Sequence, residues 1–108
     1  MEEIIDGDTF VVNKQHIRLT LVNTPETNQT GYEDAKDFVG RMCPIGSTVL
    51  VDQDDGQLYS YGRIVAVVYC DGKNLNEELL KNNLGKIYTD FCAKSEFGRD
   101  KWAKDYGC

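Results

Sequence analysis

The sequence predicts an α+β fold, in which about three helices accompany a small antiparallel β-barrel that is closed or nearly closed. Three observations lead to this prediction. Segments rich in β-forming residues come in two groups, and segments with helical spacing follow each group. The predicted strands are short, so their edges need closure into a barrel or cover by helices. The chain has 108 residues, 41% hydrophobic and 28% charged, as expected for one globular domain over residues 1–108.

The first predicted strands lie near the start of the chain. Thr9–Val12 is rich in β-forming residues, and Asn13–Gln15 is the predicted hairpin connection that follows it. Apolar side chains then alternate with others from Ile17 to Leu21, and this spacing predicts that the apolar ones face the core. Arg18 lies between two of them, so it points to the opposite face, where its charge can act.

Helical spacing predicts three α-helices. Tyr32–Met42 has apolar residues at intervals of three and four. Asn74–Leu84 begins with a capping pattern, because Asn74 can accept a hydrogen bond and a glutamate stands three residues further on. A third helix is predicted from a cap at Ser95 to Gly107.

Two further strands are predicted between the first two helices. Val49–Asp52 and Arg63–Tyr69 are rich in β-branched residues, and the polar segment Asp54–Gly56 separates them. The chain therefore runs strands, helix, strands, helix, helix. This order is typical of an OB-fold-like barrel, although the order alone leaves other α+β folds open.

The charge balance is acidic, with 12 Lys and Arg against 18 Asp and Glu and a net charge of −6. Proteins that bind nucleic acid more often carry a basic surface, so this balance predicts weak non-specific affinity for a duplex. Any chemistry on nucleic acid must therefore depend on a local site. No apolar run approaches the length of a bilayer-spanning helix, and we expect no membrane partner.

Four cysteines form an even set without the CxxC spacing or the histidines of a zinc site: Cys43, Cys70, Cys92 and Cys108. Two alternatives stay open, four free buried thiols or disulfides. Cys92 and Cys108 flank the predicted third helix, so a bridge between them would hold the C-terminus to the rest of the fold. It would also favour a secreted or extracytoplasmic location. A bridge between Cys43 and Cys70 has less support from the sequence.

Three short motifs carry residues that can act in chemistry. Asp6-Gly7-Asp8 places two acids around a glycine directly before a strand, Asn23-Thr24-Pro25-Glu26 follows a strand, and Tyr61-Gly62-Arg63 precedes an apolar strand. Each motif alone is a common structural feature: a turn, a strand exit and a charge at a sheet edge.

Together the motifs are more specific. Asp-Gly-Asp-Thr, Ile-Arg-Leu, Asn-Thr-Pro-Glu-Thr, Tyr-Gly-Arg and Asp-Gly-Lys-Asn-Leu-Asn-Glu-Glu-Leu occur in an order and spacing that resemble the staphylococcal nuclease (thermonuclease) family, from about Ile4 to Ile87. The resemblance implies an OB-fold barrel with three helices and one Ca²⁺ ion. It also implies hydrolysis of phosphodiester bonds in single-stranded or frayed DNA and RNA, leaving 3′-phosphates. We expect a monomer whose partners are these substrates.

The resemblance also implies a metal site. Asp8 matches the family's metal-binding aspartate, and Thr24 matches the residue whose backbone carbonyl binds the metal. Asn23 stands where the family usually has a second metal-binding aspartate. Because Ca²⁺ accepts amide oxygens, we expect the site to survive this change with a lower affinity for the ion.

The catalytic residues implied by the resemblance are Arg18, Glu26 and Arg63. Phosphoryl transfer requires a positioned nucleophile and neutralisation of the developing negative charge. The planar guanidinium of arginine matches phosphate oxygens, and a glutamate can orient or deprotonate the attacking water. His16, at the predicted hairpin, is expected on the surface rather than as a base.

Tyr61 matches a family tyrosine near the bound nucleotide and is the predicted substrate-binding residue. Three other aromatic residues are alternatives for base stacking, although the core or the barrel rim is their more usual place: Tyr59, Tyr88 and Phe91.

A rival interpretation comes from another class of function. The same barrel serves as a catalytically weak or silent module that binds nucleic acid or protein in tudor–staphylococcal nuclease proteins. The acidic net charge and Asn23 favour this alternative. Four retained residues argue against it: Asp8, Arg18, Glu26 and Arg63. A purely structural domain gives no reason for the two arginines and the glutamate to recur at strand ends.

Overall fold

A computed structural model describes residues 1–108 and confirms the predicted α+β fold class. The strands are β1 (Glu3–Asp6), β2 (Thr9–Val12), β3 (Gln15–Leu19), β4 (Val22–Asn23), β5 (Val49–Gln53), β6 (Tyr59–Ser60), β7 (Arg63–Cys70), β8 (Lys73–Asn74) and β9 (Lys86–Ile87). The helices are α1 (Tyr32–Met42), α2 (Leu75–Lys81), α3 (Lys101–Asp105) and a 3-10 turn (Thr89–Phe91). None of the helices is long and apolar enough to span a bilayer.

The main sheet has the order β1-β2-β3-β7-β5, with β6 and β8 paired to β7, and β4 pairs with β9 in a separate ladder. Every pairing is antiparallel except that of β3 with β7, which is parallel. The two ends of the sheet approach each other, since the Met1 amine donates to the Ser47 carbonyl at 2.6 Å and the Gly46 N–H donates to the Met1 carbonyl at 2.7 Å. The sheet is therefore a nearly closed barrel.

The core fills this barrel with side chains from β3, β7 and α2. Ile17, Leu19 and Leu21 are 1–3% exposed, as their alternation predicts. The connection between β2 and β3 is a two-residue hairpin turn, because Val12 pairs with Gln15. Its two residues have φ values of 52° and 64°, which is the conformation of a type I′ turn.

The first two helices largely follow their predicted bounds. Helix α1 spans Tyr32–Met42, as predicted. The side chain of Asn74 accepts a hydrogen bond from the Glu77 N–H at 2.9 Å, so the predicted cap of α2 is also present. The predicted end of α2 at Leu84 is wrong, because the helix ends at Lys81. Asn83 adopts φ 58°, a left-handed conformation that stops the helix.

The predicted start of the third helix at Ser95 is also wrong. Helix α3 begins at Lys101, and turns precede it. The Ser95 hydroxyl donates to the carboxylate of Asp54 and accepts a hydrogen bond from the Phe97 N–H at 3.1 Å. Asp54 is fully buried and also accepts a hydrogen bond from the Thr20 hydroxyl at 2.7 Å. Ser95 thus fastens this segment to the barrel instead of capping a helix.

Both cysteine pairs form disulfides, and no free cysteine is left. Cys43 at the end of α1 is bonded to Cys70 at the end of β7. Cys92, after the 3-10 turn, is bonded to Cys108 with a Cα–Cα separation of 5.5 Å, so the C-terminus is held to the rest of the fold. The alternative of four free thiols is therefore wrong for this structure.

Removal of the second disulfide should destabilise the protein without unfolding it. The bond joins residues 16 positions apart. A bond that closes a loop of this length lowers the entropy of the unfolded chain, and this raises the free energy of unfolding by about 3 kcal/mol. We therefore expect Cys92→Ser/Cys108→Ser to lose about that free energy of unfolding in a urea titration. Thiol titration of the unreduced, unfolded wild type is the control and should detect no thiol; four thiols would contradict the prediction.

Candidate active site

All seven residues predicted from the sequence line one cleft of about 790 Å³. They are Asp8, Arg18, Asn23, Thr24, Glu26, Tyr61 and Arg63. We call this the central cleft. It lies over the parallel strands β3 and β7, in which Arg18 pairs with Val65. Because side chains alternate along a strand, Arg63 lies on the same face of β7 as Val65, and so on the same face of the sheet as Arg18. The parallel pairing therefore brings the two arginines together.

Hydrogen bonds to the backbone fix the guanidinium of Arg18. Its Nη1 donates to the carbonyls of Leu19 and Val22 at 2.7 and 2.6 Å, and its Nη2 donates to Oδ1 of Asn23. Burial lowers the pKa of Arg18, the nearby Asp8 opposes this shift, and Arg63 adds to it. An arginine stays charged in proteins despite such a shift. The cleft therefore holds a partly desolvated, oriented cation.

Asp8 is buried directly before β2 and is also held by hydrogen bonds. Its Oδ2 accepts a hydrogen bond from the Thr24 N–H at 3.0 Å and lies 3.7 Å from Nη2 of Arg18. Its Oδ1 accepts a hydrogen bond from the Thr9 hydroxyl at 3.0 Å. The preceding residue must be small, because a Cβ atom on Gly7 would lie 2.9 Å from Oγ1 of Thr24. The Asp-Gly-Asp motif is thus packed against Thr24, which directly follows β4.

The donors around Asp8 suit a hard divalent cation. Asp8 offers a carboxylate, Asn23 an amide oxygen and Thr24 a backbone carbonyl, which are the oxygen ligands that Ca²⁺ takes. No group of three or more His, Cys, Asp or Glu side chains is arranged for a metal, so such a site depends on the amide and the carbonyl. Arg18 contacts oxygens of both Asp8 and Asn23. Oδ1 of Asp8 accepts one hydrogen bond, from the Thr9 hydroxyl, and Oδ1 of Asn23 accepts one, from Arg18, so each keeps a second lone pair for a cation.

Glu26 lies in an exposed turn at the rim of the central cleft. Its N–H donates to Oε1 of Gln29 at 2.8 Å, and the Gln29 N–H donates to the carbonyl of Glu26 at 2.9 Å. These two bonds hold the backbone of the turn. The carboxylate itself accepts no hydrogen bond from the protein, so it is free to accept one from water or substrate.

The hairpin between β6 and β7 carries the other predicted residues. Tyr61 and Gly62 have φ values of 51° and 78°, so they form its tight turn. Arg63 donates from Nε to the carbonyl of Ser60 at 3.2 Å, and its guanidinium lies 6.0 Å from the centre of the Tyr61 ring. Tyr61 is 97% exposed, so its ring is open to a ligand.

Sequence reasoning left some residues of the central cleft without a role: Asp6, Gln29 and Gln57. Asp6 belongs to the Asp-Gly-Asp motif, whereas nothing local in the sequence marks the two glutamines. Of the alternative aromatic residues, Tyr88 and Phe91 line the cleft and Tyr59 does not. The Tyr88 and Phe91 rings make an edge-to-face contact with centroids 4.6 Å apart. His16 is exposed and outside the cleft, as expected.

Comparison with known proteins shows one family. Residues 16–104 match the family described as staphylococcal nuclease homologue. The chain is 34% identical over 97 residues to endonuclease YncB of Bacillus subtilis. The aligned region covers 81% of the chain and 46% of the relative. It is 32% identical over 93 residues to the thermonuclease of Staphylococcus hyicus, covering 77% of the chain and 54% of the relative.

A third relative is the SPbeta prophage-derived endonuclease YokF of Bacillus subtilis, 32% identical over 97 residues, covering 81% of the chain and 33% of the relative. The chain thus spans between a third and about half the length of these curated relatives.

Proposed function

The chain belongs to the staphylococcal nuclease family, and we propose that it is a Ca²⁺-dependent nuclease that cuts single-stranded or frayed DNA and RNA. The products would carry 3′-phosphates. The observation that carries the proposal is that two arginines and a glutamate line the same cleft as a set of oxygen ligands. Such a set meets the two requirements of phosphodiester hydrolysis, a positioned water and neutralisation of negative charge.

Arg18 and Arg63 clamp the phosphate in this proposal. The Nη1 of Arg18 is held by two backbone carbonyls, so the planar group is oriented before substrate arrives. Because the cleft is partly desolvated, each hydrogen bond from an arginine to a phosphate oxygen is stronger than it would be in bulk water. Charge that develops on the phosphate oxygens is thereby stabilised without reorganisation of the site.

Glu26 acts on the attacking water. Its carboxylate has no partner in the protein, and its backbone is held by the turn with Gln29. A glutamate so placed can accept a hydrogen bond from water, orient it towards phosphorus and take its proton. Attack of the water breaks the bond between phosphorus and the 5′-oxygen, which takes a proton from solvent and leaves as a hydroxyl. Glu26 returns its own proton to solvent, because it is exposed in the cleft.

Asp8, Asn23 and the carbonyl of Thr24 would hold Ca²⁺. When bound, the ion would supply positive charge that offsets the negative charge of a phosphate oxygen. Asn23 replaces a carboxylate with an amide, so the affinity for the ion is expected to be lower than for a site with two aspartates.

Aromatic residues near the cleft favour single strands. Tyr61, Tyr88 and Phe91 line the cleft, and exposed aromatic rings can stack with unpaired bases. The net charge of −6 also disfavours the broad, electrostatic binding of a duplex. The two disulfides favour action in an oxidising compartment, outside the cytoplasm. We expect the protein to act as a monomer.

A calcium-dependence assay tests the proposed function. A labelled single-stranded DNA and a labelled RNA are incubated with the protein and with either Ca²⁺ or a chelator, and the products are sized and tested for a 3′-phosphate. We expect cutting only with Ca²⁺, and no cutting by Asp8→Ala, which lacks the proposed carboxylate ligand. Binding of the strands without any cutting under either condition would contradict the proposal and favour the silent binding module.

A further inference from the structure

A second cleft of about 810 Å³ adjoins the central cleft and shares Gln29 and the segment 23–25 with it. We call it the side cleft. Its other polar side chains are those of Thr30, Asp34, Asn83 and Lys86. Because the same four residues line both, the two clefts are adjacent along this segment.

Lys86 is placed directly beside the central cleft by strand pairing. It lies opposite Asn23 in the antiparallel ladder of β4 and β9, where Val22 lies opposite Ile87. Val22 is buried, whereas Asn23 and Lys86 are exposed, so the latter pair shares the outer face of the ladder. Opposite residues in such a ladder have Cβ atoms about 5 Å apart. Lys86 thus lines the side cleft next to Asn23, which lines both clefts.

The charge of Lys86 is not neutralised within the protein. The ion pairs of the structure join Arg18 to Asp8 and Lys101 to Asp105, so no carboxylate lies within pairing distance of Lys86. The residue opposite it is an asparagine, which leaves no negative charge on the neighbouring strand position. Lys86 is the only cationic residue in the side cleft, and Asp34 the only anionic one. The neutral residues Gln29, Thr30 and Asn83 add hydrogen-bonding groups.

We propose that the side cleft is a subsite for the nucleotide next to the one being cut, and that Lys86 binds the phosphate of that neighbouring nucleotide. The proposal rests on the proposed function, since it extends the same nucleic-acid strand from the central cleft. An ammonium binds a phosphate as a point charge without a demand on its orientation. Lys86 thus acts in substrate binding and takes no part in the chemical step.

Binding of short strands tests the role of Lys86. A labelled six-nucleotide thymidine strand with phosphorothioate links, which resists cutting, is titrated in the presence of Ca²⁺ with wild type, Lys86→Gln and Lys104→Gln. Lys104 is an exposed lysine on α3 outside both clefts, so Lys104→Gln controls for loss of one charge. The same titrations with a dinucleotide, which has a single link, show whether the effect requires a longer strand.

We expect Lys86→Gln to weaken binding of the six-nucleotide strand about five- to tenfold at about 50 mM salt, and to reduce the salt slope by about 0.7. Binding of the dinucleotide and binding by Lys104→Gln should change less than twofold. In assays with a cleavable strand, Lys86→Gln should raise KM and leave kcat unchanged.

Equal binding of the six-nucleotide strand by Lys86→Gln and Lys104→Gln would overturn the subsite while the nuclease function stands. Equal loss with the dinucleotide would also overturn it, because Lys86 would then act on the scissile phosphate. A wild type that neither binds nor cuts single strands would overturn the proposed function and the subsite with it.

Discussion

Arg18→Ala should lower kcat on single-stranded DNA by on the order of 1000-fold, because the phosphate loses its most firmly oriented hydrogen-bond donor. The side chain is fixed by the carbonyls of Leu19 and Val22 before substrate binds. Alanine removes the positive charge and the two N–H donors that the protein leaves free, one on Nε and one on Nη2. Arg18→Lys should restore only a small part of the loss, since an ammonium cannot form the bidentate contact.

A matched control separates this loss from a general effect of charge. Arg99 is exposed and outside the central cleft, so Arg99→Ala removes one positive charge at a distance and should keep kcat within about twofold of wild type. Thermal unfolding of Arg18→Ala verifies that the variant is folded. A folded Arg18→Ala protein with near-normal kcat would contradict the assignment of Arg18 as the phosphate clamp.

Local sequence patterns predicted those features of the fold that depend on residues close together in the chain. The bounds of α1 follow from its apolar spacing, and the cap at Asn74 follows from a side chain that reaches the N–H of a residue three positions on. Six of the seven site residues come from three motifs, each of which lies at a strand end or tight turn whose geometry is local. The seventh, Arg18, comes from the alternation of side chains along β3. The convergence of these motifs in one cleft was expected from the family resemblance and agrees with the geometry.

Features that depend on distant contacts could not be predicted in this way. Ser95 looks like a helix cap, but its hydroxyl binds Asp54, which is 41 positions away in the sequence. Asp54 itself lies in a segment whose composition indicates a solvated loop, yet it is fully buried. The parallel direction of β3 and β7 has no local signal either, because alternation shows which face a side chain takes and not which way a neighbouring strand runs. The position of Lys86 opposite Asn23 also depends on the pairing of two strands that are distant in the sequence, so no local pattern predicts it.

A buried amide on α2 is hydrogen-bonded to the parallel pair. Asn76 on α2 is fully buried and makes three hydrogen bonds. Its Oδ1 accepts from the Val68 N–H at 3.1 Å, and its Nδ2 donates to the carbonyls of Thr20 and Ala66 at 2.9 and 3.2 Å. One amide thus joins a helix, strand β7 and the residue that follows β3. These are the strands that carry Arg18 and Arg63.

Asn76→Ala should therefore lower the free energy of unfolding by about 3–5 kcal/mol, because it leaves three buried backbone groups with fewer partners and a cavity beside them. Asn82→Ala, at the C-terminal cap of α2, is the matched control. The Asn82 amide also donates a hydrogen bond, to the carbonyl of Glu78 at 2.8 Å, but it is exposed. Its removal should cost less than about 0.5 kcal/mol, because water replaces the lost partner. Urea unfolding of the two variants and the wild type measures the difference. A loss below about 1 kcal/mol in Asn76→Ala would mean that water enters and satisfies the freed groups, and that the junction of β3, β7 and α2 does not depend on this amide.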